Sequence, residues 1–146
     1  MRLKILSVGR DRADPAAPMV ADYCARISRF LPIEEIVLKA DREDRIAARM
    51  LAEKKRGCLL VALDERGREL DTLAFARLVE KWMGGGVLAV TFAVGGADGH
   101  APAVREGADL VLALSRMTLP HRLARLLLAE QVYRALCVAR GVPYQK

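Results

Sequence analysis

Two histidines, a few aspartates following apolar runs and one glycine cluster are the residues of this 146-residue chain whose types and spacing suggest chemistry. His121 stands beside Pro120 after the run SRMTLPH at 115–121. It reads either as a pocket-lining group or as a helix-start hydrogen-bonding residue, whereas His100 reads as loop decoration. Asp64 and Asp98 have no histidine or glutamate at ligand spacing, so metal binding and paired-carboxylate hydrolysis have little support. Ser115 lies in no G-x-S-x-G elbow and has no evident base or orienting acid. Cys24, Cys58 and Cys137 form no C-x-x-C pair and read as buried free thiols, not as ligands or nucleophiles. The glycines of GGADG at 95–99 allow positive φ and let a ligand approach the backbone without meeting a Cβ. The run is not G-x-G-x-x-G and lies late in the chain, which disfavours a dinucleotide site; a tight turn would also explain it. What remains is chemistry that asks little of side chains: transfer of a group from an activated donor held on backbone atoms.

Such a donor site needs a rigid frame, and the apolar pattern supplies one. Residues 3–8, 33–38, 58–63, 87–94 and 109–114 read as strands. Between them, Pro18 opens a helix with Val20, Tyr23, Cys24 and Ile27 on one face, and 46–55 forms another with Met50 and Leu51 inward. Asp71 caps a third, with Phe75, Leu78, Val79 and Trp82 in register. That register makes Trp82 a core aromatic in preference to a base-stacking platform. DERG at 64–67 reads as a turn, and GGG at 84–86 ends the third helix. Strands alternating with helices call for an α/β fold with a parallel sheet covered on both faces, built as one domain over 1–146. Ligands in such sheets bind at the carboxyl ends of strands, here the loops after Leu63, Val94 and Leu114.

The last helix, between Pro120 and Gly141, has apolar residues on two sides. Leu123, Leu126 and Leu127 cover one; Leu128, Val132, Ala135, Leu136 and Ala139 cover much of the other. A helix with a single buried face would carry one stripe, so two packing partners are expected.

The formal charge of +6 is unevenly placed: residues 110–146 hold six Lys/Arg against one Asp/Glu, while 65–109 hold five against seven. The surplus favours an anionic partner and is compatible with RNA. Arg42, Arg45 and Arg49 read as a solvated charge run, with phosphate contact as the alternative. No run of about 18 uncharged apolar residues suggests a membrane span, and the N-terminus lacks the apolar segment of a signal peptide; a cytoplasmic location is expected.

Taken together, VALD at 61–64 with Gly67, FAVGGADG at 92–99, LSRMTLPH at 114–121, Arg125 with the leucines at 126–128, EQVYR at 130–134 and Pro143-Tyr144 resemble the RlmH (YbeA) family. These are small SPOUT-class methyltransferases acting on 23S ribosomal RNA, and the resemblance spans essentially the whole chain. It implies a C-terminal trefoil knot, S-adenosylmethionine as cofactor, a homodimer, and methylation of N3 of pseudouridine 1915 in 23S rRNA on assembled ribosomes. Spacing does not show the knot, and general topology rules argue against one.

Carried over residue by residue, the resemblance implies cofactor contacts at Leu63, Gly96, Arg116, Met117, Thr118, Leu119, Pro120 and His121. His121 and Tyr144 become candidates to orient or accept the substrate proton. Glu130 and Tyr133 match family positions that shape the pocket and dimer. Arg125, Arg134, Gln145 and Lys146 are implied RNA contacts, the tail reaching towards the partner's cofactor. Where many members have a histidine after the tail tyrosine, this chain has Gln145. Glutamine donates a hydrogen bond but is no general base near neutral pH. Either it replaces a positioning donor, or the target or rate differs. The rival readings are a SPOUT enzyme with another RNA target and a catalytically weak protein that only binds cofactor and ribosome.

Overall fold

Apolar runs that bury side chains towards both faces can serve only as interior strands of a covered sheet. Five form here: β1 (Arg2–Val8), β2 (Ile33–Leu38), β3 (Cys58–Glu69), β4 (Ala89–Val94) and β5 (Leu110–Ala113). They lie parallel in the order β2-β1-β4-β3-β5. The computed structural model describes residues 1–9 and 13–144. The implied RNA contacts Gln145 and Lys146 lie outside the described residues.

The strand period of two divides the core. Leu3, Ile5, Val61, Val90 and Phe92 face α1 (Ala17–Ile27), α3 (Thr72–Gly84) and α5 (His121–Arg140). Leu6, Leu60, Ala62 and Ala93 face α2 (Glu43–Leu51) and α4 (Pro102–Gly107). Phe92 lies 6.3 Å, centre to centre, from both the Phe75 and Trp82 rings, and Trp82 is 8% exposed. Trp82 is therefore a core residue. The Asp71 carboxylate accepts a hydrogen bond from the Ala74 amide at 2.7 Å, a cap that contributes about 1 kcal/mol.

On the α2/α4 side, Glu53 is buried and receives hydrogen bonds from Lys4 at 2.9 Å, Arg49 at 2.5 Å and Thr91 at 3.2 Å. Burial pushes its carboxyl upward, but the donors outweigh that and hold it below the ordinary range. Arg49 is thus committed internally, while Arg42 and Arg45 pair with Asp44 and Asp41 on the surface.

Three expectations need correction. Residues 64–67 are not a turn that leaves the sheet. They arch outward and β3 resumes, so that Leu63 and Arg68 both pair with Leu112, and Glu69 pairs with Ala113. Helix α4 was not legible, because six residues give too few apolar repeats to show a period. Cys137 is buried, but Cys24 and Cys58 are only half-buried.

The arch matters for the path of the chain. Helix α5 follows the edge strand β5, yet it packs between α1 and α3 and touches β4. To get there the chain turns inward past the β3–α3 connection. Glu65 in the arch of β3 and Glu69 at its end hold the passing segment: Thr118 donates to Glu65, and Arg116 lies 3.3 Å from Glu69.

Candidate active site

Three strand ends converge on one cleft of about 660 Å³, within the ~300–1,000 Å³ typical of small-molecule sites. They are the end of β3, the glycine loop after β4, and the segment from β5 into α5. Leu63, Val94, Leu114, Leu119 and Pro120 supply apolar wall; residues 95–99 present main chain. Gly95 is required by crowding, since a Cβ there would stand 2.9 Å from the Gly99 carbonyl carbon. Gly99 is required by conformation, with φ of +76°. The Gly99 amide donates to the Gly96 carbonyl at 3.0 Å and closes the loop.

Of the implied cofactor positions, Leu63, Gly96, Met117, Thr118, Leu119, Pro120 and His121 line this cleft. Arg116 does not; it points outward, 84% exposed, to Glu69. Met117 is 77% exposed at the rim. Glu65 and Ala124 also line the cleft, and sequence reasoning missed them because only the arch and the entry of α5 bring them there.

His100 is not loop decoration. It is 7% exposed, and its Nε2 donates to the Ala93 carbonyl at 3.0 Å. Burial lowers its basicity below the ordinary value of 6.5, so the ring is neutral in the folded protein near pH 7. Unfolded, the same ring takes up a proton as pH falls below 6.5. The unfolded state then binds more protons, so the stability present above 6.5 is lost as pH falls towards the depressed folded value. His100→Leu is expected to flatten this dependence, by at most about 1.4 kcal/mol per pH unit. Urea unfolding of both proteins at pH 7.5 and 5.5 checks it; parallel losses in the two would sink the idea.

The other implied residues do not gather at the cleft. Arg125 is largely buried and bonds Asp14 at 2.7 Å, with Glu35 at 3.9 Å. It holds the connection between β1 and α1 against α5. Arg134 donates to Glu130 at 2.8 Å and lies 4.6 Å over the Tyr144 ring. Tyr144 also meets Tyr133 edge-on at 4.8 Å and donates to Glu130 at 3.1 Å. The neighbouring Tyr23 hydroxyl, then burial and Glu130, raise its pKa, so in this seat it is a donor and not a base. Tyr144 folds back to the middle of α5, against Glu130, Tyr133 and Arg134, so that His121 stands 9 to 13 residues away along the helix, about 14–20 Å at 1.5 Å per residue. One chain does not bring them together.

The Cys24 thiol is pushed up to about 11, mainly by burial and also by Glu35, which leaves it a poor nucleophile. No helix among the described residues is long and apolar enough to cross a membrane.

Fold and cleft together define a SPOUT-class methyltransferase. Residues 1–145 match the family model described as "Predicted SPOUT methyltransferase". The SpoU methyltransferase AviRb from Streptomyces viridochromogenes, solved with AdoMet, superposes with a TM-score of 0.50 at 12% identity over 91% of this chain. This chain spans 57% of that structure's length, and the likeness concerns the fold: the α/β knot with its parallel sheet. Ribosomal RNA large subunit methyltransferase H of Anaeromyxobacter sp. (strain Fw109-5) is 42% identical over 154 residues, with both chains covered in full. The protein of that name from Paramagnetospirillum magneticum is 42% identical over 151 residues, covering 100% and 99% of the two chains. The chain belongs to the ribosomal RNA large subunit methyltransferase H family.

Proposed function

We propose that this chain, a single domain over 1–146, uses S-adenosylmethionine to methylate N3 of pseudouridine 1915 in 23S rRNA of assembled ribosomes, as a cytoplasmic homodimer. One observation carries the reading. The β3 arch and the segments after β4 and β5 form a cleft of apolar wall and glycine-loop main chain, with the charged side chains of Asp64, Glu65, Arg66 and Asp98 and one imidazole, His121, in its lining. The relatives' names supply the ribosomal RNA. The lining suits a nucleoside with a sulfonium: apolar surface for the base, main-chain groups for its polar edges, and three carboxylates, Asp64, Glu65 and Asp98, against the single guanidinium of Arg66, which favour a positive sulfur. Leu63, Gly96 and the residues Met117, Thr118, Leu119, Pro120 and His121 would hold it.

When bound, S-adenosylmethionine supplies a methyl group made electrophilic by the adjoining sulfonium. The protein's own work is to align and to exclude water. The glycine loop and the 115–121 segment set the position of the donor, and proximity of the two reactants is the main source of rate. N3 of pseudouridine lies between two carbonyls, which delocalise the charge left when its proton departs. His121, in the lining of the cleft, would orient or accept that proton.

The dimer reading rests on α5. Leu128, Val132, Ala135 and Leu136 are buried on the sheet, while Leu123 and Leu127 are 47% and 42% exposed on the opposite side. A second copy on that face would bring the tail carrying Tyr144, Gln145 and Lys146 to the partner's cleft. Arg134, half-buried beside Tyr144 and paired with Glu130, would then contact RNA.

His121→Ala is expected to lower methyl transfer to pseudouridine-containing 70S ribosomes by about 100-fold or more, with dimer content and unfolding midpoint unchanged. Parallel loss of folding or dimerisation would return His121 to a structural role. The same assay with free 23S RNA separates ribosome from naked-RNA recognition. Gln145, standing where many members have histidine, favours a second reading, a different RNA target; mass mapping of the methylated nucleoside decides between them.

A further inference from the structure

The glycine loop faces the cleft with its main chain, so something behind it must hold its shape. Asp64, at the end of the buried part of β3, has a side chain only 6% exposed. Its Oδ1 accepts from the Arg66 amide at 2.9 Å and from Arg66 Nε at 3.0 Å, and its Oδ2 accepts from Arg66 Nη2 at 3.2 Å. Arg105 of α4 reaches the same carboxylate, Nη1 lying 3.8 Å from Oδ2. That Nη1 also donates to the His100 carbonyl at 2.7 Å, immediately after the glycine loop. The His100 ring returns to the Ala93 carbonyl of β4, just before the loop. Both ends of 95–99 are therefore tied, one to β4 itself and one through Arg105 to β3. The sequence offers no local reason for this arrangement, and the reaction as read above needs none of these three side chains at the methyl group.

Resting on the proposed donor site, we infer that Asp64, Arg105 and His100 form a positioning clasp that holds the main chain of residues 95–99 in the shape that binds the donor nucleoside. Charge and geometry support the assignment together. Asp64 is held ionised: burial opposes this, but hydrogen bonds from Arg66 and the charges of Arg66 and Arg105 outweigh it. An ionised, nearly buried carboxylate keeps its guanidinium partners in place, because losing them would strand a charge. Arg105 is 21% exposed, so it can be replaced without opening the core.

The clasp predicts a split between donor binding and chemistry. Arg105→Leu is expected to raise the KM for S-adenosylmethionine and the Kd for S-adenosylhomocysteine by about tenfold or more, since small misplacements of binding groups carry large penalties. At saturating donor, kcat is expected to stay within about threefold of the parent, because no reacting group has been removed. Arg105→Lys, which retains a donor to the His100 carbonyl, is expected to recover part of the affinity, and His100→Gln more than His100→Leu. Titration calorimetry with S-adenosylhomocysteine, steady-state kinetics on 70S ribosomes and unfolding midpoints are measured on the same full-length proteins. Unchanged Kd and KM in Arg105→Leu would overturn the clasp, as would a fall in kcat without a rise in KM, or affinity losses that track the unfolding midpoint. Failure of the parent protein to bind S-adenosylhomocysteine would instead overturn the donor reading beneath it.

Discussion

Gly67→Ala is expected to destabilise the protein by about 3 kcal/mol or more and to abolish donor binding. The reason is space, not backbone conformation. A Cβ on residue 67 would stand 2.6 Å from both the carbonyl carbon and oxygen of Val111, and 2.9 Å from the Leu112 nitrogen. All three are backbone atoms of the adjoining strand, so no rotamer change relieves the overlap. The arch at 64–67 would have to lift, and with it would go the pairing of Arg68 with Leu112 and of Glu69 with Ala113. The contacts that hold the 115–121 segment, Thr118 to Glu65 and Arg116 to Glu69, sit on the same arch. Gly84→Ala is the control: nothing lies within 4 Å of its added Cβ, at the end of α3, and it is expected to be neutral or stabilising by up to about 1 kcal/mol. Urea unfolding and S-adenosylhomocysteine titration of both variants make the comparison. Equal midpoints would mean that the close approach of the β3 arch to β5 does not hold the fold.

The double substitution Leu123→Glu with Leu127→Glu is expected to yield folded monomers whose methyl transfer is at least about 100-fold below the parent. Both leucines are exposed on α5, so the subunit's own core does not depend on them. In a dimer, burying each would contribute about 1.5–3 kcal/mol, and four glutamates facing one another would reverse that contribution. Activity should fall because Tyr144 is seated on Tyr133 and Arg134, about 18–20 Å along α5 from His121. In the proposed dimer a partner's tail would complete the cleft. Sedimentation gives the assembly state, circular dichroism the fold, and methyl incorporation the activity. Full activity from a folded monomer would remove the tail from the active site.

Most of the frame was legible in the chain, since its causes are local. The strand at 33–38 and the Asp71 cap appear where apolar runs and capping chemistry place them. Boundaries moved where neighbours intervene: α2 runs Glu43–Leu51 and not 46–55, since Glu43 and Asp44 suit the positive end of a helix. The cofactor segment was readable through its resemblance to a family, and all but Arg116 of it lines the cleft. His100 was misread because burial of a polar loop residue depends on what folds over it, here β4 and α4.

By itself, the sequence determined the alternation of strands and helices, the three strand-end loops and the two-sided apolar character of the last helix, for all of these follow from spacing along the chain. Tertiary structure alone decided the rest. The β3 arch returning to pair with β5 and the hold of Glu65 on Thr118 depend on contacts between segments about fifty residues apart. The commitment of Arg125 to Asp14, 111 residues away, and of Arg105 to Asp64 likewise needs the folded chain. An arginine carries the same charge whether it meets RNA or a buried carboxylate, and only the fold brings one of those partners within reach.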